Sequence, residues 1–402
     1  MKIKYIRNVV LALVVLTLVS LVSFSFGQKS QTVSSGTDDQ LNLSMMWKVK
    51  DKLSQLYLDK SKMDKTKMEY GAIEGMVAAL DDPYTVFLPP SQNKSSNEDL
   101  AGQFGGVGIS LGYKDKTLAV MSPVPKTPAE KAGIKAGDLI LKIVDKEKKV
   151  DKDTAGMALE DAVNLIRGKV GTEVTLTLLR EGGKATFDVT LKRDNIVVPS
   201  VELEFKEQAG KKIAWIKMYK FTDELNKQWP EIISKIKKEG GANYGGIVLD
   251  LRNNPGGFLD TSVMIASDFI KEGVVVKQES SDGTIQTYNV DSSRGALLND
   301  KLVVLVNGGS ASAAEILSGA LKDYNRGKLV GEKTFGKGTV QQPENFSDGS
   351  GLHITIAKWL LPNGANIHKV GINPDIEVKP TTDPNSKDDL QLNKAIEVLL
   401  QK

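Results

Sequence analysis

The segment KLVVLVNGGSASAAEILSGALKDYNRGKLVGEKTFGKGTVQ, residues 301–341, predicts a strand, a tight turn, a helix, a second strand and a loop. Residues 302–306 form a short valine-rich run that is typical of a buried strand, and Asn-Gly-Gly at 307–309 interrupts it. Apolar residues then recur with helical spacing over 316–324. We therefore expect a helix that begins near Ser312 and ends at about 326–327, in a unit typical of α/β proteins.

Ser312 is a candidate nucleophile because of its place in this turn. A serine at the start of a helix holds its hydroxyl near the positive end of the helix dipole, beside unpaired backbone N–H groups. Such a position suits an attack that creates an oxyanion. The same residues also match a capping box, Ser312-Ala-Ala-Glu315, in which the serine caps the helix and the glutamate reaches back. The pattern alone leaves both roles open.

A nucleophilic serine needs a proton acceptor, and the chain contains two histidines and no cysteine. We expect His353 and His368 to lie away from the serine and lysine motifs, in structural or exposed positions. Lys337, between two glycines, can act as the base if its amine is neutral, and burial lowers the pKa of a lysine. Gln341 would share a face with Lys337 in an extended segment and could hold the amine in place.

The glycines around Lys337 have a second interpretation. GEKTFGK at 331–337 fits the first seven positions of a phosphate-binding P-loop. Gly338 then stands where the magnesium-binding serine or threonine is required, and the segment does not lead from a strand directly into a helix. The pattern therefore argues against a nucleotide site.

The motifs GSASAAEI at 309–316 and TFGKGTVQ at 334–341 resemble the catalytic block of the carboxyl-terminal processing proteases, also called tail-specific proteases. The resemblance implies a serine-lysine peptidase in which Ser312 is the nucleophile, Lys337 the general base and Gln341 the residue that orients it. It also implies that Gly256 and Gly257, in the turn DLRNNPGG at 250–257, supply oxyanion-hole amides. We add the N–H of Ala313, the residue after the nucleophile. A plain strand-to-helix connection would also explain the two glycines.

Composition limits the class of protein. The chain has 402 residues, of which 40% are hydrophobic and 26% charged, and a formal net charge of +3, as expected for a globular protein large enough for two or three domains. The lysines are scattered, which gives no reason to expect a nucleic-acid partner. The absence of cysteine excludes disulfides, thiolate metal sites and a cysteine nucleophile. We expect no metal and no cofactor.

The N-terminus predicts export. Lys2, Lys4 and Arg7 precede an apolar run over 9–26, so residues 1–27 are expected to be a signal peptide or membrane anchor and residues 28–40 a linker. The remaining chain would then be extracytoplasmic, either membrane-anchored or secreted. Helical periodicity extends from residue 41 to about 80, and residues 41–95 are expected to form a helical N-terminal region. GAIEGMVAALDDPYT at 71–85 resembles the helical N-terminal region of the same family, which implies dimer contacts and control of substrate access.

Residues 96–195 are predicted to be a PDZ domain. FGGVGISL at 104–111, AGIKAGDLI at 132–140 and IRGKVGTEVTL at 166–176 occur in the order typical of bacterial protease PDZ domains. A glycine-rich loop would offer N–H groups to a peptide carboxylate, and an apolar groove would take the last side chain. Arg167, after the helix, would be a solvated helix-terminus charge or a regulatory bridge to the protease core. The predicted peptide-binding residues are Gly105, Gly106, Val107, Gly108, Ile109, Leu111, Ala162, Val163 and Ile166.

Residues 196–380 are predicted to be an α/β protease core, which by resemblance has the spiral βαβ fold of crotonase-like proteins. Residues 381–402 would form a C-terminal helix that closes the core or joins a dimer partner. The sequence thus predicts a serine endopeptidase that selects protein substrates by apolar C-terminal tails, functions as a homodimer and responds to a regulatory protein. A non-catalytic PDZ scaffold with a degenerate protease core is the alternative.

Overall fold

The computed structural model describes residues 42–124, 126–180, 183, 185–381 and 388–401. Contacts divide the chain into two units, residues 1–69 and residues 70–402. The predicted export segment 1–27 and the linker 28–40 lie outside the described residues. Within the described residues, no helix is both long enough and apolar enough to span a membrane.

Helices fill the region predicted to be helical. The first unit contains α1 (Ser44–Leu56) and a 3₁₀ turn (Lys60–Lys62), and α2 (Lys65–Ala78) starts there and continues into the second unit. A short strand, β1 (Val86–Leu88), and α3 (Pro90–Ala101) follow. Proline at the first position of α3 loses no helical hydrogen bond, and Gly102 ends the helix with φ +74°. The predicted domain boundary at 95/96 falls inside α3.

The next segment folds around an antiparallel sheet with its own apolar core, as expected for a PDZ domain. The strand order is β3-β4-β5-β7-β8, with β6 added beside β5, so β3 lies at an edge. The elements are β2 (Gln103–Gly106), β3 (Ile109–Lys114), β4 (Thr117–Pro123), α4 (Pro128–Lys131), β5 (Leu139–Asp145), β6 (Val150–Asp153), α5 (Leu159–Ile166), β7 (Glu173–Leu179), β8 (Thr186–Lys192) and β9 (Asp194–Val197).

A two-stranded ribbon joins the two ends of this module. β2 pairs antiparallel with β9, and Val198 N donates to Gly102 O at 3.0 Å. Beside the ribbon, the buried Arg193 donates to Asp145 Oδ2 at 2.7 Å and to Ile166 O at 2.8 Å. Arg193 therefore neutralises a buried carboxylate and caps the carboxyl end of α5.

The remaining chain forms two sheets. One is six-stranded in the order β10-β11-β12-β15-β16-β19, antiparallel at β10 and parallel elsewhere, and the other joins β1-β18-β13-β14 with β17 beside β18. The elements are β10 (Val201–Gln208), β11 (Lys211–Met218), α6 (Leu225–Glu239), β12 (Tyr244–Asp250), α7 (Leu259–Phe269), β13 (Val274–Ser280), β14 (Ile285–Asn289), β15 (Leu302–Val306), α8 (Ala313–Asp323), β16 (Lys328–Gly331), β17 (Thr339–Asn345), β18 (Gly351–Leu360), β19 (Ile376–Glu377) and α9 (Leu390–Leu400).

Both faces of the six-stranded sheet are covered. Along β15, Val304 and Val306 join the main core with α6, α7 and α8, whereas Val303 and Leu305 point to the opposite side and pack with α9. Such burial on both faces explains why the strand is uninterruptedly apolar. The C-terminal helix thus closes the core, one of the two roles predicted for it. The carboxyl ends of β12 and β15 meet at one edge, where ligands usually bind in open α/β sheets.

Candidate active site

The turn between β15 and α8 holds Ser312 in a strained conformation. Ser312 has φ +55° and ψ −118°, which a residue with a side chain rarely adopts. Two hydrogen bonds fix the approach to it: Ser310 Oγ donates to Leu251 O at 2.7 Å, and Ala311 N donates to Asn254 O at 2.9 Å. Strain that the surroundings maintain in this way is characteristic of functional sites.

The turn after β12 packs directly on the serine. A Cβ at Gly256 would lie 2.7 Å from Ser312 Cβ, and a Cβ at Gly257 would lie 2.1 Å from Phe221 O. The two glycines have φ of +99° and +138°. Only glycine fits at either position, because any side chain would push the two turns apart.

One of the three amides predicted for an oxyanion hole already has an acceptor. Gly256 N donates to Asn254 Oδ1 at 2.9 Å, so this N–H is already engaged. Within the described part of the chain, neither Gly257 N nor Ala313 N has an acceptor. Gly257 and Ala313 are therefore the two predicted amides that could bind an oxyanion in this conformation.

The carboxylate of Glu315 connects the serine turn to the lysine loop. Glu315 is fully buried and accepts four hydrogen bonds. Oε2 accepts from Ser312 N and from Lys337 N, each at 2.9 Å. Oε1 accepts from Thr334 Oγ1 at 2.6 Å and from Gly336 N at 2.7 Å. The predicted capping box is present, and the same carboxylate also fixes the loop that carries Lys337.

Lys337 carries an amine that is shifted toward its neutral form. Burial lowers the pKa of Lys337, and the nearby negative charges of Asp82 and Glu315 partly oppose this shift. The Nζ atom lies 4.8 Å from the centre of the Tyr84 ring. No carboxylate among the described residues lies within 4.0 Å of the amine, so no close ion pair holds the proton.

Gln341 lies near the start of β17 and lines the same cavity as Lys337. Its Nε2 donates to Thr339 Oγ1 at 3.0 Å and to Thr355 Oγ1 at 3.1 Å. With both amide hydrogens directed to these hydroxyls, its carbonyl oxygen has no donor among the described residues. Lys337 itself precedes the strand, so the strand alternation that we predicted to align the two side chains begins only at Thr339.

These residues come together around one cleft. A cavity of about 480 Å³ is lined by Ser312, Lys337 and Gln341, together with Gly256 and Gly257. Its apolar lining includes Leu259, Ile316, Val340 and Trp359. The other wall comes from α3, through Ser96, Asp99 and Leu100. The two motifs predicted to form one site are therefore adjacent in space.

The prediction for the histidines is wrong. His353 lines the same cleft as Ser312 and Lys337, and burial together with the positive charge of Lys337 lowers its pKa. His368 packs its backbone against Gly338, where a Cβ would lie 2.7 Å from His368 N. Both histidines approach the lysine because β18 and the loop after it fold back along β17, and residue spacing alone gave no sign of this pairing.

The PDZ groove differs in part from the predicted one. Gly105 and Gly106 belong to β2 and pair with β9, so the unpaired part of the loop consists of Val107 and Gly108, and both residues are buried. Neither of these two N–H groups has an acceptor among the described residues, as a carboxylate nest requires. Ala162 and Ile166 are buried in the core of the module. Val163, Ile109 and Leu111 are partly exposed and remain available to a peptide.

Arg167 is not a free charge at the end of α5. Its Nη1 lies 3.6 Å from Glu98 Oε2 on α3, and its guanidinium lies 3.9 Å from the centre of the Phe104 ring. The side chain connects the PDZ module to α3, so of its two predicted roles this contact fits the bridge and not the solvated charge. Three other residues of α3 line the cleft, so Arg167 is one helix away from the active site.

Comparisons with known proteins agree with this architecture. Family models match residues 212–378 as peptidase family S41, residues 105–191 as a PDZ domain and residues 20–91 as the N-terminal domain of the activating protease CtpB. A CtpA-like serine protease of Staphylococcus aureus (strain MRSA252) is 40% identical over 93% of this chain and 72% of its own. The carboxy-terminal processing protease CtpA of Bacillus subtilis (strain 168) is 38% identical over 88% of this chain and 71% of its own.

A solved structure has the same organisation. The photosystem II D1 C-terminal processing protease superposes with a TM-score of 0.51 at 31% identity, over 91% of this chain and 98% of its own. The predicted α/β core with an inserted PDZ domain and an N-terminal helical region is thereby confirmed. The chain belongs to the carboxyl-terminal processing proteases of peptidase family S41 and is a serine-type peptidase.

Proposed function

We propose that the protein is an endopeptidase that works through Ser312 and Lys337. The neutral amine of Lys337 takes the proton of Ser312 Oγ while the oxygen attacks the carbonyl carbon of the substrate. The N–H groups of Gly257 and Ala313 bind the resulting oxyanion. Collapse of the intermediate breaks the C–N bond, and the lysine ammonium passes its proton to the leaving amine. Water then attacks the acyl-enzyme with Lys337 again as base, which releases the acid and restores the serine.

One observation carries this proposal. The buried carboxylate of Glu315 accepts from both Ser312 N and Lys337 N at 2.9 Å, so the two residues are joined through a single rigid group. The lowered pKa of Lys337 supports its role as the base, since only a neutral amine can accept a proton. Gln341, with an amide oxygen that has no donor among the described residues, would accept from the amine and orient its lone pair.

Substrate choice is proposed to reside in the PDZ module. The free N–H groups of Val107 and Gly108 suit a terminal carboxylate, and the edge strand β3 can pair with an extended peptide. The partly exposed Ile109, Leu111 and Val163 favour an apolar last residue. We further infer, from the sequence of residues 1–27, that the enzyme acts outside the cytoplasm with its N-terminus in or through the membrane. A homodimer and a regulatory protein partner also remain proposals.

The test compares the full chain with Ser312→Ala and Lys337→Ala on an unfolded protein that ends in an apolar residue. Each substitution should lower the cleavage rate by about 10³-fold or more. Loss of the Ser312 cap should cost only about 1 kcal/mol of stability. The rate should rise with pH as the amine loses its proton, with a midpoint below the ordinary pKa of lysine. If Ser312→Ala destabilised the fold and left cleavage intact, the serine would be only a helix cap.

A further inference from the structure

The amine of Lys337 lies over an aromatic ring that comes from outside the segment matched as peptidase. Nζ is 4.8 Å from the centre of the Tyr84 ring, whereas the S41 match begins at residue 212. Tyr84 follows α2 in the turn that leads to β1, and its side chain is half-buried. A cation within about 6 Å of a ring face is attracted by the negative potential of that face. The N-terminal region therefore contributes a contact to the proposed base.

The turn that carries Tyr84 is fixed in place by hydrogen bonds. Asp82 accepts from Tyr84 N at 3.0 Å and from Thr85 Oγ1 at 2.7 Å. Thr85 is buried, and its Oγ1 accepts from Thr355 N on β18 at 3.0 Å. The hydroxyl of the same Thr355 accepts from Gln341 Nε2 at 3.1 Å. Thr355 of β18 thus contacts both the turn that carries Tyr84 and the amide of Gln341.

A second ring contact restricts Tyr84 from the side. The rings of Tyr84 and His368 meet edge to face at 6.3 Å with an interplanar angle of 68°. His368 in turn packs against Gly338, the residue after the lysine. Tyr84 is therefore enclosed between its own turn and the loop that follows β18, and its ring cannot leave the lysine without disturbing these contacts.

Several neighbouring groups act on the charge of the amine or respond to it. The carboxylates of Asp82 and Glu315 favour the ammonium, and burial disfavours it. Burial, and after it the positive charge of Lys337, lowers the pKa of His353. The pKa of the Tyr84 hydroxyl is raised by burial and then by Glu315 and Asp82, so this ring stays uncharged. The face of the Tyr84 ring attracts the ammonium without bringing a carboxylate into contact.

We propose that Tyr84 is a positioning residue for the catalytic lysine: its ring forms the surface on which the Lys337 amine rests, and the turn at 81–85 thereby completes the active site. The proposal depends on the role of Lys337 as general base. The ring keeps the protonated amine within the cleft between its two proton transfers, and it limits the directions in which the neutral amine can point. A peptidase core without this turn would have a mobile base.

The decisive experiment changes the charge distribution of the aromatic ring at position 84 and keeps its shape. Tyr84→Phe in the full chain serves as the reference because it keeps the ring. Phenylalanines with one, two or three ring fluorines are then introduced at position 84, which progressively weakens the negative face. The cleavage rate is measured across pH, and we follow the pH at which it reaches half its maximum on the acidic side of the profile. This midpoint should move to lower pH with each fluorine, by about 0.5 pH unit for trifluorophenylalanine. The sign follows because a weaker face stabilises the ammonium less, so the lysine pKa falls.

A second substitution tests position. Tyr84→Leu keeps an apolar side chain under the amine and removes the ring, and it should lower kcat by about tenfold, whereas Tyr84→Phe recovers most of that loss. Trifluorophenylalanine in place of the buried Phe87 of β1 is the matched control, since that ring contacts Tyr70 and Phe346. It should leave the midpoint unchanged.

The outcomes separate this inference from the proposed function. If Lys337→Ala abolishes activity but the midpoint stays the same through the fluorine series, the proposed role of Tyr84 is overturned and that of Lys337 is kept. Substantial cleavage by Lys337→Ala would overturn the proposed base itself. A lower melting temperature of Tyr84→Leu with unchanged kcat and midpoint would make Tyr84 a structural residue only.

Discussion

Replacing Glu315 by glutamine should separate stability from catalysis at the proposed active site. The carboxylate is fully buried and accepts four hydrogen bonds, two on each oxygen. A glutamine keeps the size of the side chain but turns one oxygen into an NH₂ group, which is a donor. Thr334 can rotate its hydroxyl to accept from that group, but at least one backbone N–H loses its acceptor.

The expected magnitude follows from these contacts. A buried N–H without an acceptor costs about 1–3 kcal/mol, and the remaining bonds lose the strengthening that a charged acceptor gives. We therefore expect Glu315→Gln to lower the free energy of unfolding by about 3 kcal/mol and the melting temperature by roughly 5–10 °C. The serine turn and the lysine loop would shift relative to each other, so kcat should fall by about 100-fold.

The pH dependence supplies the second readout. The negative charge of Glu315 raises the pKa of Lys337, so its loss lowers that pKa further below the ordinary value. Cleavage requires a neutral amine, so the acidic side of the pH–rate profile should move to lower pH. The assay is the rate of cleavage of an unfolded protein measured across pH, together with calorimetric unfolding of the same samples.

Asp268 provides a matched control. It is also buried, and it accepts from Trp229 Nε1 at 2.8 Å, from Arg294 Nη2 at 2.6 Å and from two backbone N–H groups. Asp268→Asn should destabilise the protein to a similar degree and leave the midpoint on the acidic side of the pH–rate profile unchanged. The reasoning would be refuted if Glu315→Gln kept the wild-type kcat and this midpoint while it lowered the melting temperature, because Glu315 would then be structural only.

Two further predictions concern the PDZ module in the full chain. The first uses Ser312→Ala to block cleavage. A peptide with an apolar last residue and a free carboxylate should then bind at least about tenfold more tightly than its amidated form, because charge-assisted hydrogen bonds are lost on amidation. Equal affinities in a fluorescence titration would show that no carboxylate nest binds the peptide. The second concerns Arg167→Ala, which should change that affinity by less than twofold. In the chain with Ser312 intact it should lower the cleavage rate, since the side chain contacts Glu98 on the helix that lines the cleft. An unchanged cleavage rate would argue against the bridge.

Local patterns predicted much of the fold and half of the active site. The strand and helix around Ser312 were predictable because burial on both sheet faces produces a continuous apolar run, and helical spacing follows it directly. Gly256 and Gly257 were predictable because a turn with positive φ excludes other residues. Ser312 and Lys337 were found through motifs that extend over many consecutive residues.

The remaining contacts depend on pairings between distant segments. Tyr84 reaches Lys337 across more than two hundred residues of chain, and nothing near Tyr84 signals a lysine partner. His353 was misplaced because the pairing of β17 with β18 is a long hairpin whose facing residues cannot be read from spacing alone. Glu315 was recognised as a cap because its partner Ser312 is three residues away, whereas its bonds to Gly336 and Lys337 were not foreseeable.

The ribbon of β2 and β9 has a consequence for how this enzyme could be diversified. The chain leaves the protease at Gly102 and returns at Val198, and these two residues are joined by a hydrogen bond of 3.0 Å. A segment whose ends are in contact can be exchanged for another without stretching its host, as in natural domain insertions. A different recognition domain with adjacent termini, grafted between these two residues, would redirect the same chemistry to a new set of tails. Because the two ends of the exchanged segment stay together, substrate specificity can be inherited separately from catalysis.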